Sequence, residues 1–343
     1  MIYKLFIRRI LFFFSPEFSH DMVLSLLKFI FYIPGIYNLV CFFYCINDKS
    51  LERNIFGLKF RNPVGLAAGF DKNAKVYNEF SAFGFGFIEI GTVTPVAQLG
   101  NDKPRLFRLS SDNALINRMG FNNDGVETVV KRLKKRYTDI IIGGNIGKNK
   151  ITPNEVANQD YIKCFEQLAL YVDYIVLNIS SPNTPGLTQL QNKKYLEKLL
   201  SDIQYLNQQD YKKPILIKIS PDLSLKQIDE ILELVDQFNI AGLIATNTSS
   251  RRDMLKGNSN LIDHIGRGGV SGAPLKNKSK KIISYIHSKK GDDLPIIAVG
   301  GIMSGRDALE LLRAGASLVQ IYTGFIYNGP SIVKDINREL LRS

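Results

Sequence analysis

Hydrophobic positions follow two different patterns along this chain, and the change between them falls near residue 50. Before it, apolar and aromatic residues recur at helical spacing, with a break at Pro34-Gly35. After it, short uninterrupted apolar runs alternate with amphipathic stretches. Such runs are typical of strands in a parallel sheet that helices cover on both faces. The pattern predicts an α/β protein with a small N-terminal helical extension, residues 1–50, and a larger domain, residues 51–343.

Eight apolar runs in the larger domain are predicted to be strands. They are Val64–Ala67, Phe87–Ile90, Ile140–Ile142, Tyr174–Leu177, Ile215–Ile217, Gly242–Ala245, Ile296–Val299 and Leu318–Ile321. Helical patterns such as Leu225–Phe238 and Arg306–Ala314 separate most of them. Eight strand–helix units predict a closed (β/α)8 TIM barrel, whose active site lies at the carboxyl ends of its strands. An open doubly wound sheet is the alternative, but no Gly-x-Gly-x-x-Gly follows the first strand, which counts against it.

The extension is predicted to consist of short apolar helices. Ser15-Pro16-Glu17 offers a helix start, and Pro34-Gly35 offers its end. The uncharged stretch Phe29–Asn47 is long enough to raise the question of a membrane span, but Pro34-Gly35 and Asn38 interrupt it. A cleaved secretion signal is not expected, because its ordered regions are missing. Two short helices would instead lie in the membrane interface, with basic residues near the headgroups. A helical cap packed on the barrel is the alternative.

Each predicted strand is followed by small or hydrogen-bonding residues, which a barrel would gather on one rim. These segments are Ala68–Lys72, Gly91-Thr92, Gly143–Asn145, Asn178–Gly186, Lys218, Thr246–Thr248, Gly300-Gly301 and Tyr322–Gly324. The glycines of Gly268–Gly272 and Gly300-Gly301 would let backbone N–H groups approach a phosphate, near the loops where barrels often bind one. Ordinary turn glycines are the alternative. We predict a phosphate site here and a cofactor ring in the barrel mouth.

Two lysines and one serine on this rim are candidates for chemistry. Desolvating an ammonium group is costly, so Lys218 and Lys72 each need an anion, either on a ligand or on a neighbouring acid such as Asp71 for Lys72. Ser181 has no His or Asp nearby in sequence that would form a hydrolytic triad. Ser181 could act as a general base if a water or hydroxyl relay and an oxidised cofactor lay beside it. An unactivated serine is a weak base, so its reaction should accelerate with pH.

Composition limits the partners without choosing one. The formal charge of +12, from 44 basic and 32 acidic residues, permits attraction to nucleic acid, anionic lipid or anionic small molecules. The densest basic cluster, Lys131–Arg136, fits the solvated face of a helix. The 3 cysteines have neither a disulfide framework nor metal-ligand spacing, and the 3 histidines are scattered. We expect a reducing compartment and no metal.

Five segments resemble the class 2 dihydroorotate dehydrogenases, which are membrane-associated and quinone-dependent. The segments are Gly65–Lys72, Glu89–Pro95, Asn117–Phe121, Asn178–Gly186 and Gln320–Gly324, and the resemblance extends from about residue 5 to the C terminus. It implies oxidation of dihydroorotate to orotate by bound FMN in pyrimidine (UMP) biosynthesis, with a quinone as the electron acceptor. It also implies a peripheral protein on the cytoplasmic side of the inner cell membrane. We expect a monomer without a nucleic-acid partner.

The resemblance assigns roles to individual residues. Ser181 matches the catalytic base that removes the C5 proton of dihydroorotate while C6 delivers hydride to the flavin, and the soluble class has cysteine there. The implied FMN contacts are Ala68, Gly69, Thr92, Asn145, Asn178, Lys218, Thr246, Gly272, Gly301, Tyr322 and Thr323. The implied substrate contacts are Lys72, Asn117, Arg118, Met119, Gly120, Phe121, Asn178, Asn183, Asn247 and Thr248. His20, Arg108 and Tyr322 match residues that line a quinone tunnel between the extension and the flavin.

Two other functions are open at this stage. A tRNA dihydrouridine synthase is another FMN barrel enzyme and would suit the positive charge. Against it, no appended RNA-binding module is evident, and Ser181 replaces the cysteine acid expected there. The second alternative is a membrane-surface barrel that binds a phospholigand without turnover. Flavin absorbance of the purified protein would exclude that alternative.

Overall fold

A closed barrel of eight parallel strands forms the centre of the computed structural model, which describes residues 3–184 and 186–343. In chain order the barrel strands are Val64–Leu66, Phe87–Val93, Ile141–Ile146, Tyr174–Asn178, Ile215–Ile219, Gly242–Ala245, Ile296–Val299 and Leu318–Ile321. Each is one of the eight predicted strands. The last strand pairs with the first through Val319 and Val64, which closes the ring. The predicted (β/α)8 barrel is confirmed, and the open sheet is excluded.

Helices surround the barrel, as the amphipathic stretches predicted. They are Tyr77–Ser81, Val126–Leu133, Ala157–Leu168, Lys193–Leu206, Leu225–Gln237, Ser259–Ile265, Lys276–Lys290, Gly305–Arg313, Thr323–Asn328 and Ser331–Leu340. The helix from Leu225 begins with a capping box, in which Ser224 and Gln227 satisfy each other's backbone N–H groups. The basic cluster is helical only up to Leu133, so it straddles a helix end and does not occupy one helix face.

Strand side chains alternate between the helices and the barrel interior, and the interior changes character halfway up. Its lower part is apolar, with Phe87, Leu216 and Leu318 among its buried members. A hairpin, Arg53–Ile55 with Leu58–Phe60, closes this lower end, and the Phe60 ring lies 5.2 Å from that of Phe87. Two residues further along the strands, the inward positions become polar. The apolar core therefore ends below a polar floor.

A second, three-stranded antiparallel sheet was not predicted from the sequence. It consists of Leu106–Leu109, Ala114–Asn117 and Gly269–Gly272. Pairing of Asn117 with Gly269 joins the segment after the second barrel strand to the segment after the sixth. The sheet therefore brings two distant loops together beside the barrel mouth.

The extension is helical, as predicted, and it packs on the barrel. A helical turn at Tyr3–Ile7 continues into Arg8–Phe13, and Pro16–Ile30 and Ile36–Tyr44 follow. Glu17 receives a hydrogen bond of 2.6 Å from the Arg105 guanidinium. Among the described residues no single helix is long and apolar enough to cross a membrane. Tyr3–Phe13 and Pro16–Ile30 satisfy length and composition only as a pair bent by 119°.

Candidate functional site

A cavity occupies the barrel mouth. All but two of the residues assigned above to catalysis, cofactor and substrate line it: Ala68, Gly69, Lys72, Thr92, Asn117, Met119, Gly120, Phe121, Asn178, Ser181, Asn183, Lys218, Thr246, Asn247, Thr248, Gly272, Gly301, Tyr322 and Thr323. The barrel gathers these side chains because the carboxyl ends of its parallel strands meet on one rim. Their individual roles stay predictions.

Arg118 and Asn145 do not line this cavity. The Arg118 guanidinium donates to the backbone oxygens of Ile265 and Arg267 and stacks on the Phe107 ring at 4.6 Å. The guanidinium therefore secures a loop, and a contact between Arg118 and substrate stays a prediction. Asn145 lies inside the third strand, fully buried, and accepts a hydrogen bond from Thr92, which does line the cavity.

Lys72 has no acidic partner within ion-pair distance among the described residues. Its ammonium group donates to the backbone oxygen of Gly69 at 2.9 Å. Pairing with Asp71 is not formed, because the Asp71 carboxylate accepts the backbone N–H groups of Lys75 and Val76 at 2.7 and 2.8 Å. Burial lowers the pKa of Lys72 to about 8. A cation in this position favours an anionic ligand.

Lys218 is paired with a buried acid that the sequence analysis did not single out. Its ammonium group lies 3.2 Å from Oε1 of Glu89, which is fully buried. The Glu89 carboxylate also accepts from Asn145 at 2.7 Å and from Gln320 at 2.6 Å. The sequence signal that could have identified Glu89 is a single acidic residue within an apolar predicted strand. The alternative of a neighbouring acid is therefore correct for Lys218, although not for Lys72.

Carboxamides from several loops converge around the cavity. Asn183 donates to Asn117 Oδ1 at 3.0 Å, which links the loop after the fourth strand to the antiparallel sheet. Asn247 donates to Asn178 Oδ1 at 3.3 Å, which links the sixth strand to the fourth. Amides held in this way offer both donors and acceptors to a planar polar molecule.

Ser181 lies in the cavity wall with only 6% of its surface exposed. Its Oγ accepts a hydrogen bond of 3.3 Å from the backbone N–H of Asn183. No histidine or carboxylate among the described residues is hydrogen-bonded to it, in agreement with the expectation that it forms no hydrolytic triad. The site therefore holds a serine sheltered from solvent, within reach of a ligand in the cavity.

Bare backbone forms one end of the cavity. Gly272 and Gly301 have φ of 101° and 81°, a region that favours glycine. A Cβ on Gly301 would lie 2.3 Å from the Lys276 Cα. Beside them the hydroxyls of Ser271 and Thr323 are 2.8 Å apart. The chain thus offers close backbone and two hydroxyls at this end, a donor set that suits a phosphate.

A second cavity lies between the extension and the barrel. Its lining is mostly aromatic and aliphatic, and it includes His20, Arg108 and Tyr322. Burial, together with the charge on Lys72, lowers the pKa of His20 to about 3, so its imidazole is neutral at physiological pH. Tyr322 also lines the barrel-mouth cavity. One side chain therefore separates an apolar cavity from a polar one.

Arg108 is held by the extension without an acidic partner among the described residues. Its guanidinium donates to the backbone oxygens of Phe14 at 2.7 Å and Leu11 at 3.2 Å, and it stacks on the Phe12 ring at 4.4 Å. Burial lowers its pKa. The second cavity thus carries one fixed cation at an otherwise apolar wall.

Fold and site together define a (β/α)8 barrel protein whose polar mouth suits a small anionic ligand and lies next to an apolar chamber. The family model described as "Dihydroorotate dehydrogenase" matches residues 50–343, and the chain belongs to this family. The resemblance drawn from the motifs is confirmed.

Two relatives and one solved structure show how far the similarity extends. The chain is 54% identical to the dihydroorotate dehydrogenase (quinone) of Christiangramia forsetii over 342 residues, 99% of each protein. It is 47% identical to the enzyme of the same name from Coxiella burnetii over 349 residues, which covers 98% of this chain and 96% of the relative. The crystal structure of the Eimeria tenella enzyme in complex with ferulenol superposes with a TM-score of 0.85 at 39% identity, over 95% of this chain and 91% of the other.

Proposed function

We propose that this protein oxidises dihydroorotate to orotate in pyrimidine biosynthesis and passes the electrons to a quinone. The similarity to quinone-linked relatives extends over nearly the whole chain, including the extension. The observation that carries the proposal is the position of Tyr322, which borders both the polar cavity and the apolar one. Such an arrangement suits a reaction whose two substrates differ this much in polarity.

FMN is the cofactor that the barrel-mouth cavity fits. The glycine end would hold its phosphate through Gly272, Gly301 and Thr323, and Lys218 would lie beside its ring. Gln320 Oε1 is buried without a hydrogen-bond partner among the described residues, so a ring N–H would satisfy it. When bound, FMN supplies a hydride acceptor and a carrier of electrons to the quinone.

The remaining polar groups suit dihydroorotate, a small ring that bears a carboxylate. Lys72, the cation without an acidic partner, would bind the carboxylate. Asn117, Asn183 and Asn247 would hydrogen-bond the ring amides. Ser181 Oγ would remove the C5 proton, sheltered from bulk water by its own loop.

The apolar cavity is the proposed quinone chamber. His20 stays neutral there, and its ring lies 5.2 Å from that of Phe70, which in turn lies 5.2 Å from Tyr322. A quinone headgroup would find a hydrogen-bonding imidazole and the Arg108 cation within an aromatic wall. The aromatic rings would exclude water from this route.

The extension is proposed to sit on the cytoplasmic face of the inner membrane. Of the large apolar side chains exposed in the described structure, fourteen lie between residues 5 and 43 and ten in the rest of the chain. Lys4, Arg9 and Lys28 lie among them and would face lipid headgroups. Single exposed apolar residues are ordinary on soluble proteins, but a cluster of this size is typical of an interaction surface. The expected monomer and the absence of a nucleic-acid partner stay predictions.

An acceptor comparison tests the proposal. The purified protein should be yellow, and it should oxidise dihydroorotate with a quinone much faster than with fumarate or NAD. A protein without flavin, or one that prefers NAD, would exclude it. Removal of residues 1–46 should abolish steady-state quinone reduction but preserve flavin reduction by dihydroorotate in a single turnover. Equal loss of both half-reactions would exclude the quinone chamber.

A further inference from the structure

Glu89 lies beneath the barrel-mouth cavity, and every polar side chain that contacts its carboxylate donates to it. Oε1 accepts from the Lys218 ammonium at 3.2 Å and from Asn145 Nδ2 at 2.7 Å. Oε2 accepts from Gln320 Nε2 at 2.6 Å. Glu89 itself is fully buried. An ionised carboxylate can only accept hydrogen bonds, so it dictates which end of each neighbouring amide faces it.

The hydrogen-bond direction at Glu89 determines the direction of each following hydrogen bond. Because Asn145 turns its Nδ2 to Glu89, its Oδ1 is free to accept from the Thr92 hydroxyl at 2.5 Å. The Thr92 hydrogen is then committed, and its Oγ1 accepts from Asn178 Nδ2 at 2.8 Å. Asn178 therefore points its Oδ1 the other way, where it accepts from Asn247 Nδ2 at 3.3 Å. Each bond in this relay runs in the same direction.

The far end of the relay imposes a compatible direction. The backbone N–H of Thr248 donates to Asn247 Oδ1 at 2.8 Å, which leaves Asn247 Nδ2 facing Asn178 and Ser180. A backbone donor therefore anchors one end and a buried carboxylate anchors the other. Between them, the amide and hydroxyl orientations have one arrangement that satisfies every group.

We propose that Glu89 is a positioning residue that fixes the direction of the hydrogen bonds between Asn178 and the cavity floor, in which every donor points towards Glu89. Glu89 thereby sets the donor and acceptor pattern that the orotate ring meets. The inference rests on the proposed function, because orotate is the probe for that pattern. Glu89 touches neither cofactor nor substrate in this scheme and acts through Asn145 and Thr92. The same carboxylate keeps the Lys218 charge compensated beside the ring.

Replacing Glu89 by glutamine removes the constraint with little change of shape. One acceptor oxygen becomes an NH2 group that faces donors, and the neighbouring amides of Asn145 or Gln320 must turn round to satisfy it. If Asn145 turns, the Thr92 hydroxyl loses its acceptor and the relay reverses or breaks. If Gln320 turns instead, the relay through Asn145 keeps its direction, and the losses from Glu89→Gln and Thr92→Val should add.

Thr92 provides a matched pair of variants that separates the relay from the charge on Glu89. Thr92→Val keeps the shape of the side chain but breaks the relay above Asn145, and it leaves the Glu89–Lys218 pair intact. Thr92→Ser keeps the hydroxyl.

Orotate dissociation constants would be measured from the change in flavin absorbance. We expect Glu89→Gln and Thr92→Val each to weaken orotate binding roughly 10- to 100-fold, as for loss of a charge-assisted or buried hydrogen bond. Thr92→Ser should recover most of the affinity.

The double variant Glu89→Gln/Thr92→Val decides whether the two residues act through one relay. Asn145 links Glu89 and Thr92 by hydrogen bonds, and no direct hydrogen bond joins the two among the described residues, so independent effects would add. We expect the double variant to bind orotate no more than about threefold more weakly than the poorer single variant. Additive losses would overturn the inference, and so would a Thr92→Val protein that binds orotate normally.

Thermal unfolding without orotate gives a second double-mutant cycle that does not depend on the reaction. It compares the unaltered protein, Glu89→Gln, Thr92→Val and the double variant. Non-additive shifts of the unfolding midpoint would support the relay, and additive shifts would overturn it. Absence of flavin or of dihydroorotate oxidation in the unaltered protein would refute the proposed function instead. The two failures are therefore distinguishable.

Discussion

Replacement of Lys72 by methionine removes the cation that is proposed to bind the carboxylate of the substrate. The ammonium group lies in the barrel-mouth cavity, and its nearest hydrogen-bond acceptor is a backbone oxygen. Methionine keeps the length and the packing of the lysine stem. The variant should therefore fold and retain flavin while losing affinity for the anionic ligand.

The size of the effect follows from the free-energy cost of burying this charge. Burial lowers the pKa of Lys72 from 10.5 to about 8. At about 1.36 kcal/mol for each pKa unit, this corresponds to about 3 kcal/mol against the charged form. A ligand carboxylate would recover energy of this order, so Lys72→Met should weaken orotate binding roughly 100-fold.

Orotate affinity should also depend on pH through the charge on Lys72. A bound anion raises the pKa of Lys72, so affinity is greatest below the pKa of the free protein and falls above about 8, by roughly tenfold per pH unit. The charge on Lys72 also affects the free energy of unfolding. Its pKa in the folded state lies below the unfolded value, so its destabilising effect is fully present below about pH 8 and is relieved as pH rises towards 10.5.

Orotate titrations followed by flavin absorbance between pH 6.5 and 10 provide the assay. Lys72→Arg is the matched control, because arginine keeps the charge and does not titrate in this range. It should bind orotate without the break near pH 8. An unaltered protein whose orotate affinity is flat across this range would refute the reasoning, as would a Lys72→Met protein that keeps the same break.

Two further predictions concern the base and the membrane surface. Ser181→Ala should lower dihydroorotate turnover by roughly 10²- to 10⁴-fold and abolish the increase of turnover with pH, because the general base is lost. Flavin content should not change. Stopped-flow measurement of flavin reduction tests this, and normal turnover would contradict the role of Ser181. The second variant combines Phe13→Glu with Phe42→Glu, at residues that are 87% and 78% exposed. It should reduce co-sedimentation with anionic vesicles at least roughly tenfold, because insertion of each phenylalanine ring into lipid contributes about 1.5–3 kcal/mol. Ile151→Glu, at a site 91% exposed outside the extension, is the control, and an equal effect of both would exclude the extension as the lipid contact.

The strands were predictable because their signal is local. A strand covered on both faces must be apolar at successive positions, so runs such as Gly242–Ala245 and Leu318–Ile321 could be located to the residue. The third strand was predicted too short, because it continues through glycines and Asn145 to Ile146. An inward-facing asparagine looks like a loop residue until the polar barrel floor is known.

The candidate site was predictable as a set of residues but not as a set of contacts. Strand ends and motifs placed Ser181, Lys72 and the asparagines on one rim, since parallel strands share their direction. They could not show that Lys72 lacks an acidic partner while Lys218 has Glu89, because Glu89 lies 129 positions from Lys218 in the chain. Nor could they show that the Arg118 guanidinium donates to the backbone oxygen of Ile265, 147 positions away in the chain.

The sequence by itself determined the eight-stranded barrel, the apolar extension and the family, since these depend on periodicity and on short motifs. Only the tertiary structure decided which polar groups pair across the barrel. It revealed the antiparallel sheet beside the mouth, the chamber that Tyr322 separates from the active site, and the relay from Glu89 to Asn178. Hydrogen-bond direction depends on which donors and acceptors meet, and barrel closure brings together strands that lie far apart in the chain.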